Sequence, residues 1–120
     1  MLTPIDNLPT GAIGFVANGK ITSDDRHGVF EPTMNKALET TERVRLLYIA
    51  GRDFRGYEHG AAYDEAVFGS RHFRHFEKIA FVSDEGPFHR AVVAMTGLVP
   101  ASVMVFTRHQ IAEAKAWLAG

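Results

Sequence analysis

The sequence predicts an α/β fold, a mainly parallel sheet of four to five strands with about four helices on its faces. Three observations carry this expectation. The runs Val44–Ala50 and Lys78–Val82 are almost unbroken apolar sequence rich in strand formers, the pattern of strands covered on both faces. Between such runs lie longer stretches with helical periodicity. The two kinds of segment follow one another as β, β, α, β, α, β, α, β, α, which requires crossover connections and excludes helix bundles and sandwiches. With 120 residues there is room for one domain, residues 1–120, which can bury roughly two-thirds of its surface without disulfides or metals.

Ala12–Ala17 is apolar around a glycine and runs into Asn18-Gly19, so it reads as a strand leading into a reversal or sharp bend. Leu2–Ile5 is a short candidate partner. Thr22 followed by Ser23, Asp24 and Asp25 is a helix start, with a capping hydroxyl and two carboxylates at the positive end of the dipole. That helix runs to about Thr40 with Phe30, Met34, Ala37 and Leu38 facing inward, and Pro32 predicts a kink near Gly28–Pro32. Val44–Ala50 is then a central strand, and Gly51–Gly56 a polar, glycine-bounded loop.

From Tyr57 to Phe76 the positions Ala62, Ala66, Gly69, Phe73 and Phe76 draw one stripe along a helix. Lys78–Val82 is the next strand. Ser83 and Asp84 are candidate caps, with Pro87 suited to a first turn, for a helix carrying Phe88, Ala91, Val92 and Met95 and ending near Gly97. Val103–Phe106 is the last strand. Thr107 and Gln110 stand at capping-box spacing before a terminal helix with Ile111, Ala114, Trp117 and Leu118 facing inward.

Composition narrows the chemistry. The chain has no cysteine, which excludes disulfides, thiolate metal sites and cysteine nucleophiles. Thirteen Lys and Arg against fourteen Asp and Glu provide no global field to attract a polyanion. Arg71, Arg74 and Lys78 surround Phe73 and Phe76, but the stripe turns those aromatics inward, so nucleic-acid binding is not expected. The longest apolar runs are far short of the ~20 residues of a spanning helix, so no integral membrane association is expected. Met1–Asn7 lacks the basic and apolar regions of a secretory signal, and a cytoplasmic location is the expectation.

Asn18-Gly19-Lys20-Ile21-Thr22, the block Phe68–Asp84, and Glu113-Ala114 with Trp117-Leu118 resemble the SpoIIAA-like family, a bacterial group placed among STAS and SEC14-type domains. The resemblance extends from about Gly11 to Gly120. It implies a small α/β sheet related to anti-sigma-factor antagonists and to the lipid-binding CRAL-TRIO domain. Those antagonists carry a phosphorylatable Ser or Thr where the helix after the central strand begins. The stretch here, Arg52-Asp53-Phe54-Arg55-Gly56-Tyr57, has neither, which excludes a serine phospho-switch at that position.

No Gly-x-Ser-x-Gly elbow, Gly-x-Gly-x-x-Gly fingerprint, Walker loop or His-Glu-x-x-His sequence is present. His72 and His75 stand three apart on the predicted helix, but Glu65 is about 10 Å further along its axis, so no metal or other cofactor is expected. Ligands of open parallel sheets lie beyond the strands' carboxyl ends, where Arg52, Asp53, Arg55, Ser83, Asp84 and Glu85 are the polar candidates. The expected function is a non-enzymatic binding or regulatory module for an apolar small molecule or a protein partner. Met34, Phe54, Tyr57 and Phe68 would form the walls, and Arg52 or Arg55 would hold a polar head group. The alternative is a small enzyme using Asp53, Asp84 and a histidine. Homodimerisation through the sheet edge or the helix layer is open.

Overall fold

A computed structural model describes residues 1–57, 75–84, 86–96 and 101–120. Five strands form one sheet in the order β1-β2-β3-β4-β5. They are β1 (Leu2–Pro4), β2 (Ala12–Ile21), β3 (Val44–Tyr57), β4 (Phe76–Val82) and β5 (Ser102–Phe106). β1 runs antiparallel to β2, and every other neighbouring pair is parallel. The helical segments are α1 (Ser23–Asp25), α2 (Glu31–Leu38), α3 (Pro87–Met95) and α4 (Ile111–Ala119).

β3 occupies the centre because it can be buried on both sides. Val44, Leu46 and Tyr48 face one layer with Ile13, Phe15, Ala17 and Phe81, and this layer also receives Met34 from α2 and Phe30 from the turn just before it. Leu47 and Ile49 face the other, with Ala80, Val82, Phe106 and the α4 residues Ala114 and Leu118. The strands advance one place at a time in one direction, so right-handed crossovers put their helices on a common face. α2 and α3 obey this, as Val92 packs with the first layer. α4 covers the opposite face, where Ala114 and Leu118 pack with Leu47 and Ala80. Two cations hold it there: Arg45 on β3 donates to the Leu118 carbonyl (2.5 Å), and Lys78 on β4 donates to the Trp117 carbonyl (3.0 Å). Both occupy the negative end of the helix, where the last carbonyls lack intrahelical partners.

The structure corrects three local expectations and gives a fourth its form. Asn18-Gly19 does not reverse the chain. Asn18 N–H donates to the Met1 carbonyl (2.8 Å), and Gly19, at φ +62°, sits at a bulge after which β2 continues to Ile21. The left-handed conformation that suits this dipeptide to turns suits it equally to a bulge. Gly51–Gly56 is strand rather than loop, paired with β2 through Gly19↔Phe54. Tyr57 ends β3 and Phe76 begins β4, so neither belongs to a helix; residues 58–74 of the predicted helix, including Phe68 and His72, lie outside the described residues. Finally, the kink near Pro32 is a wide π turn over Arg26–Phe30, closed by Glu31 N–H to the Arg26 carbonyl, with Pro32 in the first turn of α2.

The chain's start is tied to its first helical turn by one carboxylate. Asp25 accepts from Thr22 N–H (2.9 Å), Thr22 Oγ1 (3.0 Å) and Leu2 N–H (3.2 Å), and the Met1 ammonium lies 3.6 Å away. Burial pushes this carboxyl's pKa up, but those donors and the ammonium outweigh it and hold the group below the ordinary aspartate value.

Two outcomes are expected. A pKa lowered on folding contributes stability that is present above the unfolded value of about 4 and lost as pH falls through the folded value. Chemical denaturation between pH 6 and pH 2, taken as roughly the span of carboxylate titration, should therefore show wild type losing more stability than Asp25→Asn, which starts lower at pH 6. On the α4 face, a Cβ at Gly14 would meet the Leu47 carbonyl at 3.1 Å and the Leu8 side chain at 2.8 Å. Gly14→Val should cost about 1–3 kcal/mol in urea unfolding.

Candidate functional site

The last β3–β4 pair is Ile49↔Val82, where β4 ends and β3 runs on to Tyr57. This inequality leaves a notch at the carboxyl edge of the central strands. Its volume is about 170 Å³, and its lining is Ala50, Gly51, Arg52 and Phe54 from β3 with Ser83, Asp84 and Gly86 from the segment leading to α3. Ala50 and Gly51 keep the floor open. A Cβ on Gly51 would also run into the amide of Asn18, so the glycine lets the bulged β2 lie against β3.

Ser83 and Asp84 of the notch are each held by a partner outside its lining. Ser83, only 3% exposed, forms a 2.7 Å hydrogen bond with Nδ1 of His89 on the first turns of α3. Its N–H donates to the Phe106 carbonyl at 3.1 Å. Asp84 forms an ion pair with Arg108 at 3.3 Å, linking the segments that follow β4 and β5. Arg108 is presented by the capping box at Thr107, whose N–H donates to Gln110 Oε1 at 2.9 Å. Ser83 and Asp84, expected from sequence to cap α3, do not; Gly86 takes the cap position, and Pro87 follows in the first turn.

Arg52 and Phe54 line the notch, as their place near a strand end suggested, although they sit on a strand and not a loop. Arg55 and Asp53 are exposed and outside its described lining, so the proposed Asp53–Asp84 acid–base pair is not assembled there. Met34 is fully buried among Phe30, Phe15 and their neighbours and forms core, not a wall of the notch. Tyr57 ends β3, and Phe68 lies outside the described residues. Because Arg52–Tyr57 is strand throughout, its lack of Ser and Thr does not bear on the start of a following helix. His89 and Arg108 are missed by sequence reasoning: six residues separate Ser83 from His89 and twenty-four separate Asp84 from Arg108, spacings with no periodic signature. Among the described residues no group of three His, Asp or Glu side chains could hold a metal ion.

A second hollow of about 430 Å³ lies at the opposite end of the sheet, between α2 and the segment entering β2, with Leu8, Ile13, Thr33 and Lys36 in its wall. It is larger but lies at the amino ends of the strands, away from the paired charges.

The model of the SpoIIAA-like family matches residues 12–119. The chain belongs to the SpoIIAA-like family. An uncharacterised protein of Shewanella loihica with a SpoIIAA-like fold has a similar structure, with a TM-score of 0.80 at 21% identity over 98% of this chain and 92% of the other. At that identity the likeness is one of fold. No functionally curated protein matches the chain. None of the described helices of this SpoIIAA-like domain is long and apolar enough to cross a membrane.

Within the family fold, the Ser83–His89 bond fixes the start of α3 against the end of β4. Ser83→Ala would leave Nδ1 of His89 without its partner and should lower stability by about 1 kcal/mol. Nitrogen NMR of His89 should show the altered tautomer balance, while the β4 amides keep their protection.

Proposed function

We propose that this SpoIIAA-like domain is a non-catalytic binding module whose notch holds the anionic head of a small apolar molecule. The supporting observation is the composition of the notch: an exposed arginine, a half-buried phenylalanine and a small-residue floor converge where β3 outruns β4. Its volume of about 170 Å³ is below the 300–1,000 Å³, roughly, of sites that enclose a whole drug-sized ligand. The notch therefore receives one end of the molecule and leaves the remainder along Phe54. The guanidinium of Arg52 offers a planar, permanently charged fork suited to a carboxylate.

The bond between Ser83 and His89 favours a second reading, in which Ser83 is a nucleophile and His89 its base. Three features argue for a structural pair instead. Ser83 is almost wholly buried, its backbone is committed to Phe106, and no carboxylate among the described residues orients the other nitrogen of His89.

Titration calorimetry with a medium-chain fatty acid such as decanoate tests the proposal. Arg52→Ala should weaken binding by about tenfold or more, consistent with loss of a charged hydrogen bond, and Phe54→Ala should weaken it as well. Arg55→Ala should leave it unchanged. Absence of heat with wild type, or equal losses at Arg52 and Arg55, would overturn the assignment. Covalent labelling of Ser83 by a fluorophosphonate would transfer support to the hydrolytic alternative.

A further inference from the structure

The two edges of the sheet are unlike. β1 is three residues long and contains Pro4, and the Met1 ammonium beside it is engaged with the Asn18 carbonyl and with Asp25. A short strand, a proline and a charge are the devices that keep a sheet edge from pairing with another chain. β5, Ser102-Val103-Met104-Val105-Phe106, has no charge and no proline, and β4 is its one strand partner among the described residues.

The direction of its free backbone groups follows from the register. Phe106 pairs with Val82, and its carbonyl accepts from Ser83 N–H, so Phe106 directs its peptide groups toward β4. Backbone groups alternate along a strand. Ser102 and Met104 therefore point inward with Phe106, while the N–H and C=O of Val103 and Val105 point outward. Met104 is 44% exposed, and Val93 on α3, the helix adjoining β5, is 48% exposed; with Met1 they are the exposed large apolar residues among those described.

We propose that β5 pairs antiparallel with β5 of a second copy about a twofold axis at Met104. This centre places Val103 opposite the partner's Val105 on both sides of the axis. Those are the residues whose backbone groups face outward, so each pair exchanges two N–H···O bonds, as an antiparallel ladder requires. Met104 falls at the non-bonded position, where strands approach most closely and the two side chains cover each other. Ser102 meets Phe106. No charge opposes a like charge anywhere in the pairing, and the patch is its own complement, the condition for a closed dimer. Two five-residue strands make an interface small beside the ~1,200–2,000 Å² of stable complexes, so the dimer is reversible and concentration-dependent.

Sedimentation velocity from micromolar to millimolar protein should show wild type passing from monomer to dimer, with slower hydrogen exchange at the Val103 and Val105 amides as concentration rises. Met104→Lys, which sets two ammonium groups together at the axis, should remain monomeric. Val105→Pro removes only an outward N–H, so β4–β5 pairing survives; it should also remain monomeric, with wild-type circular dichroism confirming the fold. Wild type that stays monomeric throughout, or a dimer that persists in both variants, would overturn the proposal.

Discussion

A strand covered on both faces must be apolar for as long as it is covered, and the rest of this domain is arranged around how long that lasts for β3. From Val44 to Ala50 the strand lies between two helical layers and every residue but Arg45 is buried. At Gly51 the neighbouring β4 has ended, both faces reach water, and the sequence turns polar without leaving the extended conformation. The notch exists because of this change. Two parallel strands of equal length would have met a common loop level, with no step between them for Arg52 and Phe54 to face.

Charged side chains complete what the apolar layers begin, and they act at chain ends. Asp25 gathers the first residues onto the first helical turn, Arg45 and Lys78 receive the last carbonyls of α4, and Asp84 with Arg108 joins the segments leaving β4 and β5. Arg45 also bonds Glu77, whose carboxyl it holds below the usual glutamate range. These pairs sit partly in water, where their worth lies more in orientation than in energy. Of them, the pair of Asp84 and Arg108 adjoins the notch.

Part of the candidate notch was legible in the sequence and part was not, for different reasons. Arg52 and Phe54 line the notch, and their carboxyl-edge position can be inferred from strand order alone. Met34 illustrates the opposite outcome: a flexible apolar residue looks the same in a pocket wall and in a core, and only the closeness of Phe15 and Phe30 shows that it is core. The bond from Ser83 to His89 and the ion pair from Asp84 to Arg108 join residues across turns and between strands, so no one-dimensional spacing signals them.

From the residues alone came the alternation of strands and helices, the central place of Val44–Ala50, the cap at Thr22, the capping box at Thr107, and the interruption near Pro32. Each rests on a local preference: side-chain periodicity, a hydroxyl near a free amide, or a ring in place of an N–H. Tertiary structure decided what Asn18-Gly19 and Gly51–Gly56 would become. A polar, glycine-bearing segment has no burial pattern with which to declare itself, so its conformation depends on whether another strand lies alongside. Here β2 and β3 supply one another's hydrogen bonds, and both segments remain strand.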